Sequence, residues 1–589
     1  MDIDHIILFS LLGAVFVLLI WGRWRYDLVA FMALMAALLA GVVPADRAFS
    51  GFGHPATAVI ALVLVISRGL SNSGAIEWLA RYCVDAARGL QRHIAVMSGL
   101  AAGLSALMNN VAALALLMPI DMQAADGAKR SRSLSLMPLS FASILGGMIT
   151  LIGTPPNIVI AGYRADALGE PYGMFDFTPV GLVCATVGIA FITLVGWRLI
   201  PRRDGVAAAA DAFDLGEYIA ELKVPEKSRL IGRRVRDLDD EAREADVEIV
   251  GLIRRGQRMP GLARRVEIKA GDILVLEADP SRVDAALGAL ELEYAAAGSS
   301  ALAQEDLRLT EAVVPENSRL AGRSAASIRL LYRYGVALVG VAREGQRFRE
   351  RVRQLTLRPG DVLLLLGSDD RQADIAGRLG LLPLKHRGQQ VIQRRKAGGA
   401  VAIFGAAILL ASIGVIKLHI ALGCVAALFV LFNIVPLREL YTSIEWPVIV
   451  LLGSMIPLGE ALQSTGGTTL IVESILGVTA GASPVVVLTL LIIATMTLSD
   501  VMNNTATAVI AAPIAVEMAA RLQVNPDAFL MGVAVAASCA FLTPIGHKNN
   551  TLILGPGGYR FGDYWRMGLP LEILIVAVSV PTLLWVWPL

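Results

Sequence analysis

The chain has 589 residues, of which 55% are hydrophobic and only 17% are charged, and its mean hydropathy is +0.63. A sequence this apolar predicts an integral membrane protein and excludes a soluble one. The formal net charge of +2 gives no support to nucleic-acid binding. The 4 cysteines are scattered through apolar segments, a placement typical of small core residues and not of disulfides or metal ligands.

Apolar segments fill the first and last thirds of the chain. Several reach the roughly 20 residues that a helix needs to cross a bilayer, and shorter ones fit re-entrant helices. The first is not predicted to be a cleaved signal, because Asp2 and Asp4 stand where a signal would carry basic residues. The segments are residues 5–21, 28–43, 56–70, 93–120, 134–162 and 178–200, then 399–436, 447–462, 469–516, 527–556 and 569–589.

Basic residues predict how the chain is oriented in the membrane. Arg23 and Arg25 follow the first apolar segment, Arg202 and Arg203 end the first third, and Arg394 precedes the last third. The positive-inside rule makes these positions cytoplasmic and the N-terminus external. The first membrane half then runs from outside to inside and the second from inside to outside. The charge pattern therefore predicts two repeats of inverted topology.

The same amide pair occurs in both halves. Asn109–Asn110 and Asn503–Asn504 each lie in an apolar segment, and a proline follows nine residues after the second Asn of each pair. The segments Gly153–Asn157 and Gly546–Asn550 also correspond, with nearly the same spacing. Apolar repeats that break at matching polar positions are typical of secondary transporters, whose binding site lies where the repeats meet.

Amide and hydroxyl oxygens inside the bilayer predict a sodium site. A hard cation needs several oxygen ligands, which a broken helix supplies through its carbonyl groups and neighbouring side chains. Packing between helices is the alternative role for a single Asn. The first set of candidate ligands is Ser105, Asn109, Asn110 and Gly146 or Gly147, and the second is Ser499, Asn503, Asn504 and Thr543.

The glycine- and proline-rich stretches after these pairs predict unwound chain. Residues 146–157 and 543–550 are expected to line a polar cavity, with a simple kink between packed helices as the alternative. Helix N-termini facing the cavity carry free N–H groups and partial positive charge, which suits an anion. One loop can therefore hold a cation and an anion together.

A charged insert separates the two halves and contains its own repeat. Val224–Arg233 recurs as Val314–Arg323, and each copy predicts a short helix, a strand, a Gly-Gln turn and a second strand after Gly-Asp. The copies resemble the TrkA C-terminal domain, a ligand-sensing α+β module. A regulatory site and a structural or dimerising cap both remain open as its role. No GxGxxG follows a strand, so NAD binding is not predicted.

The membrane motifs resemble those of the divalent anion/sodium symporter family. Met108–Ala112 and Met502–Thr507 are similar to its two Ser-Asn-Thr hairpin motifs, and Gly153–Asn157 matches its Gly-Thr/Ser-Pro-Pro-Asn segment. With the tandem insert, the resemblance points to the branch of sulfate/sodium symporters. It implies an elevator-type carrier, usually dimeric, with sodium at the hairpin tips and a dianion between them. The substrate-binding residues assigned with its help are Asn110, Thr154, Pro155, Asn157, Asn504, Thr505, Lys548 and Asn549.

The predicted architecture is an α-helical polytopic membrane protein with two inverted repeats, each containing a re-entrant hairpin. The repeats span residues 1–203 and 396–589, and the two insert domains span 204–297 and 298–395. The expected location is the inner membrane, with residues 204–395 in the cytoplasm. Sodium is the expected coupling ion, and no organic cofactor, nucleic-acid partner or enzymatic activity is predicted.

Departures from the family motifs leave some functional questions open. Val111 replaces a motif threonine, and the loss of the hydroxyl weakens the case for a carboxylate ligand there. Lys548 has two possible roles: a cation beside the anion, or a side chain that extends to the membrane interface. Asp500, Glu460 and Glu77 could carry protons, so proton coupling is an alternative to sodium. A ligand-gated channel is a further alternative, although no filter-like sequence is present and the inverted repeats favour a carrier.

Overall fold

The computed structural model describes most of the chain from Ile3 to Leu589. Four residues named above lie outside the described residues: Asp2, Arg23, Glu77 and Arg203. The residues not described are 1–2, 22–23, 74–88, 129, 203–218, 239–240, 242–247, 255–256, 259–265, 278–289, 295–307, 317, 329, 335, 344–345, 349–351, 353, 368–374, 376, 385–393 and 480.

The chain forms two compact units. One consists of Met1–Arg203 together with His386–Leu589, and the other is Asp204–Lys385. The first unit contains both apolar thirds of the sequence, and the second contains the charged insert.

The first unit is helical. Five of its helical segments are long and apolar enough to cross a membrane within the described residues: Ser50–Asn72, Trp446–Ser464, Pro484–Val501, Asn504–Leu522 and Phe561–Val586. The helices before the insert are α1 Ile3–Trp21, α2 Tyr26–Leu39, α3 Pro55–Asn72, α4 Leu90–Ser105, α5 Asn110–Gly127, α6 Ser133–Gly147, α7 Pro155–Leu168 and α8 Thr178–Leu194. One short helix, α9 Leu330–Tyr334, belongs to the insert. The helices after the insert are α10 Arg394–Ser412, α11 Leu418–Leu431, α12 Leu437–Leu440, α13 Trp446–Ser464, α14 Gly467–Val478, α15 Pro484–Val501, α16 Asn504–Leu522, α17 Pro526–Ser538, α18 Lys548–Leu554 and α19 Tyr564–Val586.

Helices α6 and α17 form the core of the helical unit. Every residue of α6 is buried, and so is every residue of α17 after its first proline. A helix that is apolar on all sides packs at the centre of a large protein. The Phe141 ring, in the middle of α6, lies 4.8 Å from the ring of Phe541, just after α17, so the end of α17 lies against the middle of α6.

Both core helices end at a break, and neither break has the predicted bounds of 146–157 and 543–550. The first begins later, because Gly146 and Gly147 still belong to α6, and the second begins earlier, because α17 ends at Ser538. The first unwound stretch is 148–154 and the second is 539–547, because Pro155 and Lys548 already begin helices α7 and α18. The prediction of unwound chain is therefore wrong for residues 155–157 and 548–550, which are helical. Proline is well accommodated in the first turn of a helix, where the N–H it lacks would have no intrahelical partner.

The insert contains two five-stranded antiparallel sheets of the same topology. The first has the order β3-β2-β4-β1-β5 and the second β10-β6-β9-β7-β8, which is the same order read from the other edge. Both sheets have a bulge at equivalent places, between Ile249 and Gly251 and between Leu338 and Gly340. The strands are β1 Ile219–Lys223, β2 Glu248–Arg254, β3 Gln257–Arg258, β4 Ile273–Glu277, β5 Glu293–Tyr294, β6 Arg308–Val313, β7 Ala337–Arg343, β8 Gln346–Phe348, β9 Val362–Gly367 and β10 Leu382–Pro383.

A matching ion pair holds the Gly-Asp turn in each sheet. Arg254 forms two hydrogen bonds with Asp272, of 2.8 and 2.7 Å, and Arg343 forms the same pair with Asp361 at 2.7 Å each. The hydrogen bond to Asp272 is the main cause that raises the pKa of Arg254 above its ordinary value. Planar pairs of this kind are the stronger ion pairs of proteins. The sequence repeat therefore corresponds to a repeat of local structure.

Candidate functional site

The first Asn of each amide pair begins a helix. Asn109 is the N-cap of α5, and its side-chain oxygen accepts from the backbone N–H of Val111 at 2.8 Å. Asn503 is the N-cap of α16, and its oxygen accepts from the N–H groups of Thr505 at 3.0 Å and Ala506 at 3.4 Å. Side chains of Asn are well suited to this position because they satisfy N–H groups that have no intrahelical partner. Both predicted ligands therefore have a structural task.

The second Asn of the first pair lies in a closed polar environment. The Asn110 side chain is 3% exposed. Its side-chain oxygen accepts from Ser105 Oγ at 2.8 Å, and its side-chain nitrogen lies 3.2 Å from Nε2 of His547 in the opposite half of the chain. A methyl group on Gly147 would lie 2.3 Å from the amide, so this glycine leaves no spare room beside it. Ser105, Asn110 and Gly147 are thus brought together, whereas Gly146 packs against the backbone of Ala102.

The second predicted cation set is arranged differently. Ser499 Oγ donates to the carbonyl oxygen of Ala537 at 2.6 Å, away from the amide pair. Asn504 is half-buried, and its side-chain oxygen accepts from Thr505 N at 2.8 Å. The Thr543 hydroxyl donates to the carbonyl oxygen of Asp500 and accepts from the N–H of Gly546 at 3.1 Å. The two amide pairs are therefore alike in sequence and unlike in surroundings.

One hydrogen-bond pattern is nevertheless the same in both breaks. The Asn157 side chain donates to the carbonyl oxygens of Gly147 and Thr150 at 3.4 and 2.8 Å. Asn550, 393 residues later, donates to the carbonyl oxygens of Ala540 and Thr543 at 2.9 and 3.1 Å.

The threonines of the two breaks correspond as well. The Thr150 hydroxyl donates to the carbonyl oxygen of Ala106, in the loop before the first amide pair, and Thr543 makes the equivalent bond to Asp500. Each bond joins a helix break to the chain just before an amide pair. Both breaks are therefore held by the same three elements of one framework: an asparagine, a threonine and the backbone carbonyls that they reach.

Side chains from the two halves interlock where the breaks meet. Ser140 Oγ on α6 donates to the side-chain oxygen of Asn550 at 2.8 Å. The side-chain N–H₂ of Asn549 donates to Ser143 Oγ and, at 3.3 Å, to the carbonyl oxygen of Asn110. All of these residues are buried. Residues from both halves of the chain are consequently brought together at this junction.

Two buried side-chain oxygens at this junction lack a hydrogen-bond partner among the described residues. The Thr154 hydroxyl and the Asn549 side-chain oxygen are buried and have no hydrogen-bond partner in the part of the chain that the structure describes. Thr154 precedes Pro155 at the N-terminus of α7, and its side chain makes no capping bond. A buried polar group without a partner costs roughly 1–3 kcal/mol, so such groups indicate a place for a ligand or water.

Lys548 is already paired. Its ammonium forms a salt bridge with Glu445, just before α13, and the two side chains are only 18% and 20% exposed. An anion that uses Lys548 must therefore share it with a carboxylate, or displace that carboxylate.

Among the predicted proton carriers, Glu460 is exposed and Asp500 is buried. The Asp500 carboxylate accepts from Leu542 N at 2.8 Å and interacts with the carboxyl group of Glu572, which accepts from Phe541 N at 3.3 Å. Two acidic side chains thus lie together at the second break.

The sequence analysis missed several residues of this site. Thr150 could have been found, since it lies 393 residues before Thr543, the same distance that separates the two Asn residues of the breaks. His547 and Asn550 were in the repeat alignment but were given no role. Ser140, Ser143 and Glu572 carried no signal, because single polar residues in an apolar helix do not reveal which neighbour they face.

Comparison with known proteins identifies the family. The citrate transporter family model matches residues 16–526 and 479–588. An uncharacterized transporter from Synechocystis is 31% identical over 568 residues, covering 94% of this chain and 92% of the relative. Sodium/sulfate cotransporter 2 of Chlamydomonas reinhardtii is 22% identical and covers 94% of this chain and 87% of its own length. A sodium-dependent dicarboxylate transporter of Staphylococcus saprophyticus is 27% identical over 142 residues, which are 24% of this chain and 27% of that protein.

The family model covers nearly the whole chain, including both helix breaks and both amide pairs, and the helical unit has segments that can span a membrane. The protein is therefore a membrane transporter and not an enzyme, and it belongs to the citrate transporter family.

Proposed function

We propose that the protein is a secondary active carrier that couples sodium to the uptake of a small divalent anion, with sulfate favoured and a dicarboxylate next. The observation that carries the proposal is the shared framework of the two breaks, in which Asn157 with Thr150 and Asn550 with Thr543 hold backbone carbonyls in matching arrangements. Carbonyl, amide and hydroxyl oxygens are the ligands that a hard cation prefers. The names of its sodium/sulfate and dicarboxylate relatives support the choice of ions.

Within this proposal, the anion lies at the junction of the two breaks. Pro155 and Pro156 have no N–H and that of Asn157 donates to the carbonyl oxygen of Thr154, so α7 contributes the partial positive charge of its N-terminus, and the unpartnered hydroxyl of Thr154 adds a donor. Helix dipoles and hydroxyl donors favour a compact dianion over a neutral solute. Sodium binds at the tips of the hairpins, with Asn110 and Asn504 as the amide ligands.

We further propose an elevator mechanism in a homodimer in the inner membrane, with residues 204–395 in the cytoplasm as two TrkA C-terminal-like domains that regulate transport. The repeated sheets and their Arg–Asp pairs support two modules of one kind. They belong to the second compact unit, whereas every proposed ion ligand belongs to the first. This division favours a role in controlling the transport rate over a role in binding the ions.

The test is uptake into proteoliposomes. Radiolabelled sulfate, succinate and citrate are each offered with a sodium gradient, with no gradient and with a proton gradient. A sodium gradient should drive sulfate accumulation, and unlabelled sulfate inside should accelerate entry of the label. Absence of this counterflow together with flux that does not saturate would mean a channel, and equal uptake with and without sodium would reject the proposed coupling.

Proton coupling is the second candidate, and one observation favours it. Asp500 and Glu572 are buried next to each other at the second break, and two carboxylates in such a place do not both remain charged without a counter-ion. Accumulation that follows the proton gradient and ignores sodium would select this alternative.

A further inference from the structure

His547 occupies the position in the second break that Thr154 occupies in the first, but it makes contacts that Thr154 lacks. It is the N-cap of α18, is 6% exposed, and lies between the backbone of its own helix and the Asn110 side chain of the other half. Its Nδ1 is 3.1 Å from the backbone nitrogen of Asn549. Because a backbone N–H can only donate, Nδ1 must accept and cannot carry a proton.

The proton of the neutral ring therefore sits on Nε2, and Nε2 must donate. The atom opposite it, 3.2 Å away, is a terminal atom of the Asn110 amide. The structure places the side-chain nitrogen there and the side-chain oxygen near Ser105 Oγ. A donor requires an acceptor, so this tautomer requires the amide to be turned by 180°, with its oxygen toward Nε2. After this rotation the N–H₂ group would face Ser105 Oγ, which can accept from it in place of donating to the amide oxygen. An imidazole protonated on both nitrogens would place an N–H against the N–H of Asn549, which the geometry opposes.

We propose that His547 is a positioning residue of the cation site: its capping bond fixes the tautomer, and its Nε2–H holds the Asn110 amide with the oxygen turned toward the second half. This inference rests on the proposed function, in which Asn110 is a sodium ligand. An amide oxygen has two lone pairs, so one can accept from His547 while the other faces a cation. The ligand is then ordered before sodium arrives, and only while the two halves are in contact.

The first break has no such device. Thr154 makes no side-chain capping bond, and its hydroxyl has no partner among the described residues. Within the described residues, no imidazole is hydrogen-bonded to the second amide pair, and the Asn504 oxygen accepts from Thr505 N of its own helix. The cross-repeat bond therefore distinguishes the first cation site from the second.

Two substitutions separate the capping role from the positioning role. His547→Asn places an oxygen near the Nδ1 position, which keeps the cap and removes the donor to Asn110. His547→Gln places an N–H₂ group near the Nε2 position, which keeps that donor and removes the cap. We expect His547→Asn to raise the sodium concentration for half-maximal sulfate uptake about tenfold, the equivalent of one lost hydrogen bond, with little change in maximal rate or melting temperature. His547→Gln should stay within about twofold of wild type in sodium dependence while melting at a lower temperature.

A spectroscopic measurement tests the tautomer without any transport. Protein labelled with ¹⁵N-histidine is reconstituted in lipid, and the signals of His547 are assigned by their absence in His547→Gln. The expected result is a neutral ring protonated at Nε2.

A ring protonated at Nδ1, or at both nitrogens, overturns the inference, and so does a His547→Asn variant with wild-type sodium dependence. If the wild-type protein transports without sodium, the proposed function fails by that result alone, and the positioning of a sodium ligand fails with it. The tautomer would still show, independently of transport, whether Nδ1 of His547 accepts the bond from Asn549 N.

Discussion

Replacing Gly147 by alanine should act on the first cation site through Asn110. The added methyl group would lie 2.3 Å from one terminal atom of the amide, where ordinary contacts are 3.4 Å or more. The amide must therefore move by about 1 Å, since Asn110 and Gly147 are both buried. Gly147 does not have a positive φ, so the backbone accepts alanine without strain.

Moving the amide breaks its contacts with Ser105 and His547, at 2.8 and 3.2 Å. A buried polar group that loses its partners costs roughly 1–3 kcal/mol. Because about 1.4 kcal/mol corresponds to a factor of ten, the sodium concentration for half-maximal uptake should rise about 5- to 150-fold. The assay is sulfate uptake into proteoliposomes over a range of sodium concentrations, with the melting temperature measured in parallel.

Two further variants make this prediction specific. Gly103→Ala on α4 is the control, because a methyl group there meets nothing within 4 Å, and its sodium dependence should equal that of wild type. In an Asn110→Ala background the clash disappears, so adding Gly147→Ala should change little. Wild-type sodium dependence in Gly147→Ala, or fully additive effects in the double variant, would refute the reasoning.

The other predictions concern the second cation site, the salt bridge and the insert. Asn504→Ala should raise the sodium concentration needed for half-maximal uptake. Asn503→Ala should lower the free energy of unfolding by about 1 kcal/mol through the lost helix cap and leave sodium dependence unchanged. The reverse result would mean that Asn503 is the sodium ligand and Asn504 the structural residue. Lys548→Gln should weaken sulfate binding more than sodium binding. Glu445→Gln removes the carboxylate charge beside the Lys548 ammonium and should strengthen sulfate binding. Unchanged sulfate affinity in both variants would mean that the salt bridge has only a structural role. Joining Pro201 to Lys396 through a flexible linker should preserve sulfate binding and alter the transport rate, and loss of binding in a folded deletion protein would contradict a regulatory role for the insert.

The sequence alone determined where the important polar residues are. The repeated Asn pairs located the starts of two helices, and the glycine- and proline-rich stretches located both breaks, because polar residues and prolines in apolar helices have few permitted positions. The sequence also revealed the tandem module of the insert, whose Gly-Asp turns carry the same ion pairs. The strands β1 and β6, which precede each Val-Pro-Glu segment, were not anticipated, since short strands with charged residues give a weak pattern.

Tertiary structure alone decided what each of these polar side chains faces. Asn109 and Asn110 are neighbours of identical type, yet one caps its own helix and the other reaches His547 in the opposite repeat. Lys548, which the sequence placed beside an anion, is paired with Glu445 from a helix about a hundred residues earlier. A hydrogen bond requires a donor and an acceptor about 3 Å apart and correctly oriented. Residues that are far apart in the sequence meet these conditions only when the helices that carry them pack together.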